Sequence, residues 1–485
     1  MLFNSYIFIL FFLPLTLFGY YLLHFFNRET WAYLELAGMS LWFYGYFNPS
    51  YLLIIGSSIL VNYALSLVFC RRKETSLRKV MLVFGLLFNF GLLFYFKYYD
   101  FFLENINFLF RQDFALRHIV LPLGISFFTF QQVSFLLDSF RGETGQYSLL
   151  EYTVFVTFFP QLVAGPIVLH HELLPQIQKK ENHRLDQEWL AKGLMIFSVG
   201  LFKKVILADT LGKAVAWGFG IVDELSSLEA WIVMLSYTFQ IYLDFSGYCD
   251  MALGIGKMFH IDLPMNFHSP YQAFSIVEFW KRWHITLTRF LRQYIYFPLG
   301  GSRKGELRTY GNILLVFLAS GLWHGANWTF ILWGLLHGIA NGLTRKFSGL
   351  WEKMHVVMQW GVTFLFLNVT WVIFRADSVS QAGRFLRKIV EMQSFSVREE
   401  LLDCFHLPEF TFIVQRLHLS NLAALFHGIE MRLLLMVCFV IVLVGKNSYE
   451  REWKVTGKSA VMTILLLVWS IMSLAGVSVF LYFNF

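Results

Sequence analysis

Eleven separated apolar runs constrain this chain more than any motif does: 5 to 26, 31 to 47, 50 to 70, 80 to 98, 119 to 137, 189 to 208, 228 to 259, 311 to 343, 356 to 374, 431 to 445 and 460 to 483. An α-helix needs about 20 apolar residues to cross the hydrocarbon of a bilayer, and most of the runs approach or exceed that length. With 57% hydrophobic and only 15% charged residues over 485 positions, no soluble core has use for so many of them. The fold class expected is therefore an all-α polytopic membrane protein with roughly ten to twelve transmembrane helices. The first run, "SYIFILFFLPLTLFGYYLLHFF", has no basic residue before Arg28 and exceeds a signal-peptide core, so it reads as a retained span.

Charge gives the orientation. The linker "RRKETSLRK", from Arg71 to Lys79, is cytoplasmic by the positive-inside rule, which leaves the N-terminus outside. A second basic linker, "GKNSYEREWKVTGKS" from Gly445 to Ser459, is cytoplasmic by the same rule and makes Phe485 extracytoplasmic. The net charge of +7 is thus assigned to topology and to membrane lipid, with no nucleic-acid partner expected. Cys70, Cys249, Cys404 and Cys438 form neither a CxxC pair nor a ligand spacing, and no metal site is expected. The N-x-T matches at Asn327 and Asn368 lie in apolar segments and are taken as chance.

Two stretches depart from simple spans. In "FVTFFPQLVAGPIVLHHELLPQ", Pro160, Gly165, Pro166 and Pro175 punctuate an apolar run. A re-entrant element walling an internal chamber and an ordinary proline-kinked helix fit it about equally well. Between 378 and 430 the charges Arg384, Arg387, Lys388, Glu391, Arg398, Glu399 and Glu400 mark amphipathic helices at a membrane surface. With neither a repeat nor a long soluble insert, residues 1 to 485 read as one membrane-embedded domain, its catalytic core at about 119 to 343.

The candidate chemistry lies in that core. "GLWHGANW", Gly321 to Trp328, carries His324 inside an apolar helix broken by Gly321 and Gly325, and an ionisable group at membrane depth is a functional candidate by default. Imidazole near neutrality can take a proton from an attacking hydroxyl. His337, within the Gly334 to Gly338 G-x-x-x-G pattern, reads instead as a satisfied packing residue. In "FWKRWHITLTRFLRQYIYFPLGG", at about 100° per residue, Trp280, His284, Leu287, Leu291 and Ile295 form one helical stripe. Glu278, Arg282 and Arg289 lie opposite, and a core role for His284 is the ordinary reading of its place. Asp244 and Asp250, in "YLDFSGYCDMALGIGKM", sit six residues apart and so off one face. They are expected to pair with Arg282 or to orient polar groups in the chamber. HExxH, GxxxxGK[ST], GxSxG and HxE with PCxxC do not occur, which removes support for zinc hydrolysis, nucleotide hydrolysis and deamination.

The blocks "PLGISFFTFQQVSFLLDSFRG", "FFPQLVAGPI", "QIYLDFSGYCDMALGIG", "NFHSPY", "FWKRWHITLTRFLRQYIYFPLGG" and "SGLWHGANWTFILWGLLHG" together resemble the bacterial membrane-bound O-acyltransferases, of the alginate O-acetylation type. The resemblance extends from the first span to the terminal "FLYFNF" and implies helices around a central funnel or tunnel. It implies that His324 is catalytic and raises His284 as a second catalytic candidate. Trp323 and Asn327 become candidate hydrogen-bond donors to the developing oxyanion, and Trp280, Arg282, Asp244, Asp250, Asn266 and Tyr271 join them as candidate substrate-binding residues. Arg282, Arg289 and Arg292, with Arg303 and Lys304, are candidates for donor phosphates or for lipid contact.

The implied reaction passes acetyl from a cytoplasmic thioester, acetyl-CoA or another acyl thioester, across the bacterial cytoplasmic membrane for O-acetylation of an extracytoplasmic polysaccharide. No tightly bound cofactor is expected. A separate extracytoplasmic acyltransferase is the expected partner, and its hydroxyl is one candidate acceptor. Alternatives are D-alanyl transfer to teichoic acids from a carrier protein, a secondary transporter, and a noncatalytic scaffold for polysaccharide export. The identity of the polysaccharide and the oligomeric state are not written in the chain.

Overall fold

The computed structural model describes residues 1–71, 75–409, 416, 428–474 and 480–481. Four sequence readings lie partly outside them: the 71 to 79 linker at 72–74, the amphipathic stretch at 410–415 and 417–427, the apolar run 460 to 483 at 475–479 and 482–483, and "FLYFNF" at 482–485. Every regular element among the described residues is helical. The N-terminal part comprises α1 (Phe8–Phe25), α2 (Glu29–Gly45), α3 (Tyr51–Cys70) and α4 (Ser76–Phe110). The middle comprises α5 (Ile125–Arg141), α6 (Leu149–Thr157), α7 (His170–Gln178), α8 (Gln187–Phe202), α9 (Asp209–Gly220), α10 (Ser227–Met258), α11 (Ile276–Arg282) and α12 (Ile285–Leu291). The remainder comprises α13 (Glu306–His324), α14 (Trp328–Lys346), α15 (Val356–Arg375), α16 (Val379–Glu391), α17 (Glu399–Asp403), α18 (Ile429–Leu443) and α19 (Gly457–Met472).

Helix ends follow local chemistry. Ser148 and Ser226 open α6 and α10 with capping boxes closed by Glu151 and Glu229, satisfying orphan amides at each start. Gly142, at φ 79°, closes α5 in the left-handed conformation that glycine adopts without steric cost. The core forms around α10, which lies so close to α8 that a Cβ at Gly193 would stand 2.6 Å from the Gly254 carbonyl oxygen, and one at Gly200 2.6 Å from that of Gly247. Small residues on both helices permit that backbone approach, and dispersion contacts between the helices supply the attraction that apolar lipid cannot.

Four described helices, α1, α3, α4 and α15, are both long and apolar enough to cross a membrane, and α19 is a shorter apolar helix. The ten to twelve spans expected are not reached by that measure: run 228 to 259 forms a single 32-residue helix, α10, that is long enough but less apolar than these four. Run 311 to 343 divides into α13 and α14 with Gly325 extended between them. Gly321 stays helical and serves packing, since a Cβ there would strike the Phe330 carbonyl oxygen.

Between α6 and α7 only a single turn, Phe159–Leu162, is helical, and the chain from Val154 to His170 is buried throughout. This is the broken element of the two readings. Its backbone is covered by protein, as non-helical chain at membrane depth requires. A continuous helix over Phe279–Gly301 is also not formed: α11 stops at Arg282, Trp283 is extended, and His284 takes φ 44°, ψ 54° before α12. In the 378 to 430 stretch, α16 buries Ala382, Phe385 and Ile389 and turns its charged face outward, as the amphipathic pattern requires.

Candidate active site

His324 is the last residue of α13 and is 3% exposed. Its position is set by three backbone features. Gly321 and Gly334 let α13 and α14 touch, Gly325 yields the space taken by the Phe330 ring, and Asn327 caps α14 by accepting from the Thr329 amide at 3.0 Å. The His324 ring is enclosed by Trp323, Trp333 and Phe374, with ring centres at 4.9, 5.2 and 5.2 Å.

Lys97 completes the helix end. It lies in a π-helical turn of α4, Phe94–Tyr98, the kind of local irregularity often found at functional sites. Its ammonium donates to the carbonyl oxygens of Trp323 at 2.6 Å and His324 at 3.0 Å and to Ser126 Oγ at 3.2 Å. A cation there answers both the orphan carbonyls and the negative end of the helix dipole. Beside it, a cavity of about 40 Å³ is lined by Lys97, residues 121–127, Val163, Trp323 and His324. That is room for one or two water molecules, or for a hydroxyl group brought to the imidazole. Val163 belongs to the broken segment, which thereby walls the cavity.

His284 approaches from the other side, its ring centre 6.5 Å from that of His324, and is fully buried. Left-handed backbone at a residue with a Cβ costs about 1–2 kcal/mol and persists only when its surroundings enforce it. Asn266 enforces it. The Asn266 carbonyl oxygen accepts from the Ile285 amide at 2.9 Å. Its side-chain Oδ1 lies 3.1 Å from His284 Nδ1 and accepts from Thr286 Oγ1 at 2.9 Å. Thr286 Oγ1 in turn accepts from the Ile167 amide at 3.0 Å, tying the His284 turn to the broken segment. His260 and Ser269, also left-handed, flank Asn266 in the same loop.

The structure gathers some of the candidate residues and separates others. His324, His284, Trp323 and Asn266 are together. The Trp323 indole N–H donates to the Ser126 carbonyl oxygen at 3.3 Å, and the Asn327 side chain donates to the Asp377 carbonyl oxygen at 2.9 Å while capping α14. Both groups are thus engaged by the protein here, and Trp323 also lines the cavity. Trp280 donates to His337 Nδ1 at 3.1 Å, and the Tyr271 hydroxyl donates to the Thr238 carbonyl oxygen at 2.7 Å. These two organise the core behind the site and do not line the cavity.

Asp244 and Asp250 pair with lysines and not with Arg282. Lys204 Nζ lies 2.6 Å from Asp244 and 2.7 Å from Asp209, and Lys203 Nζ lies 2.6 Å from Asp250. The pairing follows from another π-helical turn, Lys203–Ala208, which faces α10. Arg282 is held by Glu278 at 2.8 Å and Arg289 by Glu172, whose Oε2 is 2.8 Å away. Of the basic set, Arg292 lies over the Phe297 ring at 5.8 Å, with Arg303 and Lys304 exposed in the following turn. Sequence reasoning missed Lys97, Lys203 and Lys204. Each is a charge inside an apolar run, the same signal that singled out His324.

A body whose described elements are all helical, with apolar spans and two buried histidines facing one another, one of them beside a small cavity, defines an integral membrane protein with a candidate site inside it. The model of the membrane-bound O-acyltransferase family matches residues 114–375, more than half of the chain and every residue of this site except Lys97. The chain belongs to that family and is a membrane-embedded acyltransferase. It is 44% identical over 427 residues to the peptidoglycan O-acetyltransferase of Helicobacter pylori, covering 82% of this chain and 81% of the relative. To the probable alginate O-acetylase AlgI of Pseudomonas aeruginosa it is 37% identical over 407 residues, covering 82% and 76%. To the teichoic acid D-alanyltransferase of Bacillus subtilis it is 27% identical over 241 residues, covering 48% and 61%.

Proposed function

We propose that this acyltransferase moves acetyl groups from a cytoplasmic thioester, acetyl-CoA or another acyl thioester, towards an extracytoplasmic hydroxyl for O-acetylation of a polysaccharide, with His324 as general base. The observation that carries this reading is the His324 imidazole at a helix end beside a cavity of hydroxyl size. In the step proposed, the imidazole takes the proton as the hydroxyl oxygen attacks the thioester carbonyl. Collapse of the tetrahedral intermediate forms the ester and breaks the C–S bond, and the imidazolium returns the proton to the departing thiolate. His284, turned towards His324 by Asn266, is the second catalytic candidate.

The relatives support acetyl as the acyl group, since the two named for O-acetylation match four-fifths of the chain and the one named for D-alanyl transfer matches half. The acceptor is a glycan hydroxyl, of peptidoglycan by the more similar relative and of alginate by the next, or the hydroxyl of a separate extracytoplasmic acyltransferase that completes the transfer. The membrane is the bacterial cytoplasmic membrane. Purified protein in bilayer discs, given acetyl-labelled thioester, is expected to cleave it and to transfer label to a hydroxyl acceptor. His324→Ala is expected to lower that rate by about 10² to 10⁴ with the fold retained. Unchanged transfer in the variant contradicts the base assignment, and cleavage of a D-alanyl carrier thioester in place of an acetyl thioester moves the chain to the other branch.

A further inference from the structure

A cleft of about 480 Å³ lies between α8, α19 and the loop that precedes α19, remote in sequence from the histidines. That volume is within the range of ligand sites, roughly 300–1,000 Å³. The wall formed by the two helices is apolar, with Met195, Val199, Met462 and Leu466. The mouth formed by the loop carries Lys446, Arg451 and Lys454, and Trp453 stands at the junction. Lys454 pairs with Glu452 at 2.9 Å, and Glu450 is taken by His268 at 2.7 Å. Lys446 and Arg451 have no ion-pair partner among the described residues. The mouth therefore carries Lys446, Arg451 and Lys454 against Glu450 and Glu452, an excess of one positive charge, above a wall that is apolar apart from Ser198 and Thr463.

Its depth can be read from the orientation of the spans. With the 71 to 79 linker inside, α19 starts at the cytoplasmic face, and the Tyr6 hydroxyl meets the Ile471 carbonyl oxygen near the opposite end, where the N-terminus lies. Met462 and Leu466 are five and nine residues into α19, about 8 and 14 Å along it at 1.5 Å per residue. The outer side of the helix, Val461, Ile464, Leu465 and Val468, is exposed and apolar, as a lipid-facing surface is. The cleft thus spans the inner headgroup region and the start of the acyl chains.

The loop is also fixed before any ligand arrives. Asn447 Nδ2 donates to Ser269 Oγ at 3.3 Å, and the Tyr449 hydroxyl donates to the Pro264 carbonyl oxygen at 2.9 Å. Both partners flank Asn266, so the loop bearing the cations is attached to the loop that holds His284.

We propose that this cleft binds one anionic phospholipid of the cytoplasmic leaflet, its phosphate at Lys446 and Arg451 and its acyl chain along Met195, Val199, Met462 and Leu466. The chemistry recognised is a phosphate carrying a long apolar chain. A free phosphate or a soluble nucleotide thioester shares the first half of that description and lacks the second. Occupancy would hold the 446 to 454 loop, and through it the Asn266 loop, at the membrane surface.

The test uses the full chain in neutral phosphatidylcholine discs titrated with fluorescent phosphatidylglycerol. One saturable lipid per chain is expected, weakened about twentyfold in Lys446→Gln/Arg451→Gln, at roughly fivefold per surface cation removed. Lys346→Gln, which removes an exposed cation outside the cleft, is expected to leave it unchanged, and so are inorganic phosphate and coenzyme A at millimolar concentration. Binding indifferent to the double substitution, or lost equally in Lys346→Gln, overturns the site. Displacement by coenzyme A at micromolar concentration overturns the lipid as its occupant. In wild-type protein, raising salt is expected to weaken phosphatidylglycerol binding by screening, and indifference to salt also counts against the proposal.

Discussion

Two histidines on one helical hairpin, thirteen residues apart, are buried to the same degree and do different work. His337, in the middle of α14, has each ring nitrogen matched: Nδ1 accepts from the Trp280 indole at 3.1 Å, and Nε2 lies 3.2 Å from the Thr370 hydroxyl. His324, at the end of α13, borders open space and a lysine. Burial does not separate the two. What separates them is what lies beside the ring: side chains close over both nitrogens of His337, whereas a cavity of hydroxyl size lies beside His324. His284 differs from both: it does not line the cavity, but Asn266 holds it in a left-handed turn that faces its ring towards His324.

The comparison can be broken by substitution. The largest effect is expected for His324→Ala, a loss of about 10² to 10⁴ in acyl transfer with little change in thermal unfolding. Asn266→Ala comes next. Removing the acceptor for Thr286 and the partner of His284 leaves buried polar groups unmatched, worth about 1–3 kcal/mol each. Both the melting temperature and the transfer rate are expected to fall, and a change in rate alone would mean that Asn266 acts on substrate directly.

Lys97→Met is expected to free the Trp323 and His324 carbonyls and to loosen the end of α13, lowering the transfer rate by about tenfold, the rate equivalent of some 1.4 kcal/mol. The smallest effect on rate is expected for His337→Phe, which leaves the Trp280 indole and the Thr370 hydroxyl without a partner. It should lower stability by about 1–3 kcal/mol, read by thermal unfolding, while transfer per folded molecule stays within about threefold. A collapse of the rate in that variant, with the fold intact, would erase the distinction between the two histidines.

The class of fold was legible because hydropathy is additive along a helix: α1, α3 and α15 coincide with apolar runs and need no tertiary information. His324 was legible for the opposite reason, as a polar side chain where polarity is costly. The central helices were harder to read. The stripe from Trp280 to Ile295 has helical periodicity, yet the helix breaks at His284, because a distant loop supplies Asn266 to hold a turn that local propensity disfavours. Asp244 and Asp250 were recognised as charges needing partners, but their lysines lie some 40 residues earlier, and sequence separation gives no clue to which cation is near. Lys97 shows the reverse case. Its signal was present in run 80 to 98, but the carbonyls it meets lie 226 and 227 residues further along the chain.

Whether His324 is the reacting imidazole and His337 a structural one is decided by single-turnover cleavage of acetyl-labelled thioester in bilayer discs. Wild type, His324→Ala and His337→Phe would be compared at equal amounts of folded protein. Cleavage is expected to fall by about 10² or more in His324→Ala and to stay near wild type in His337→Phe. Equal rates in the two variants, or the greater loss in His337→Phe, would contradict that assignment.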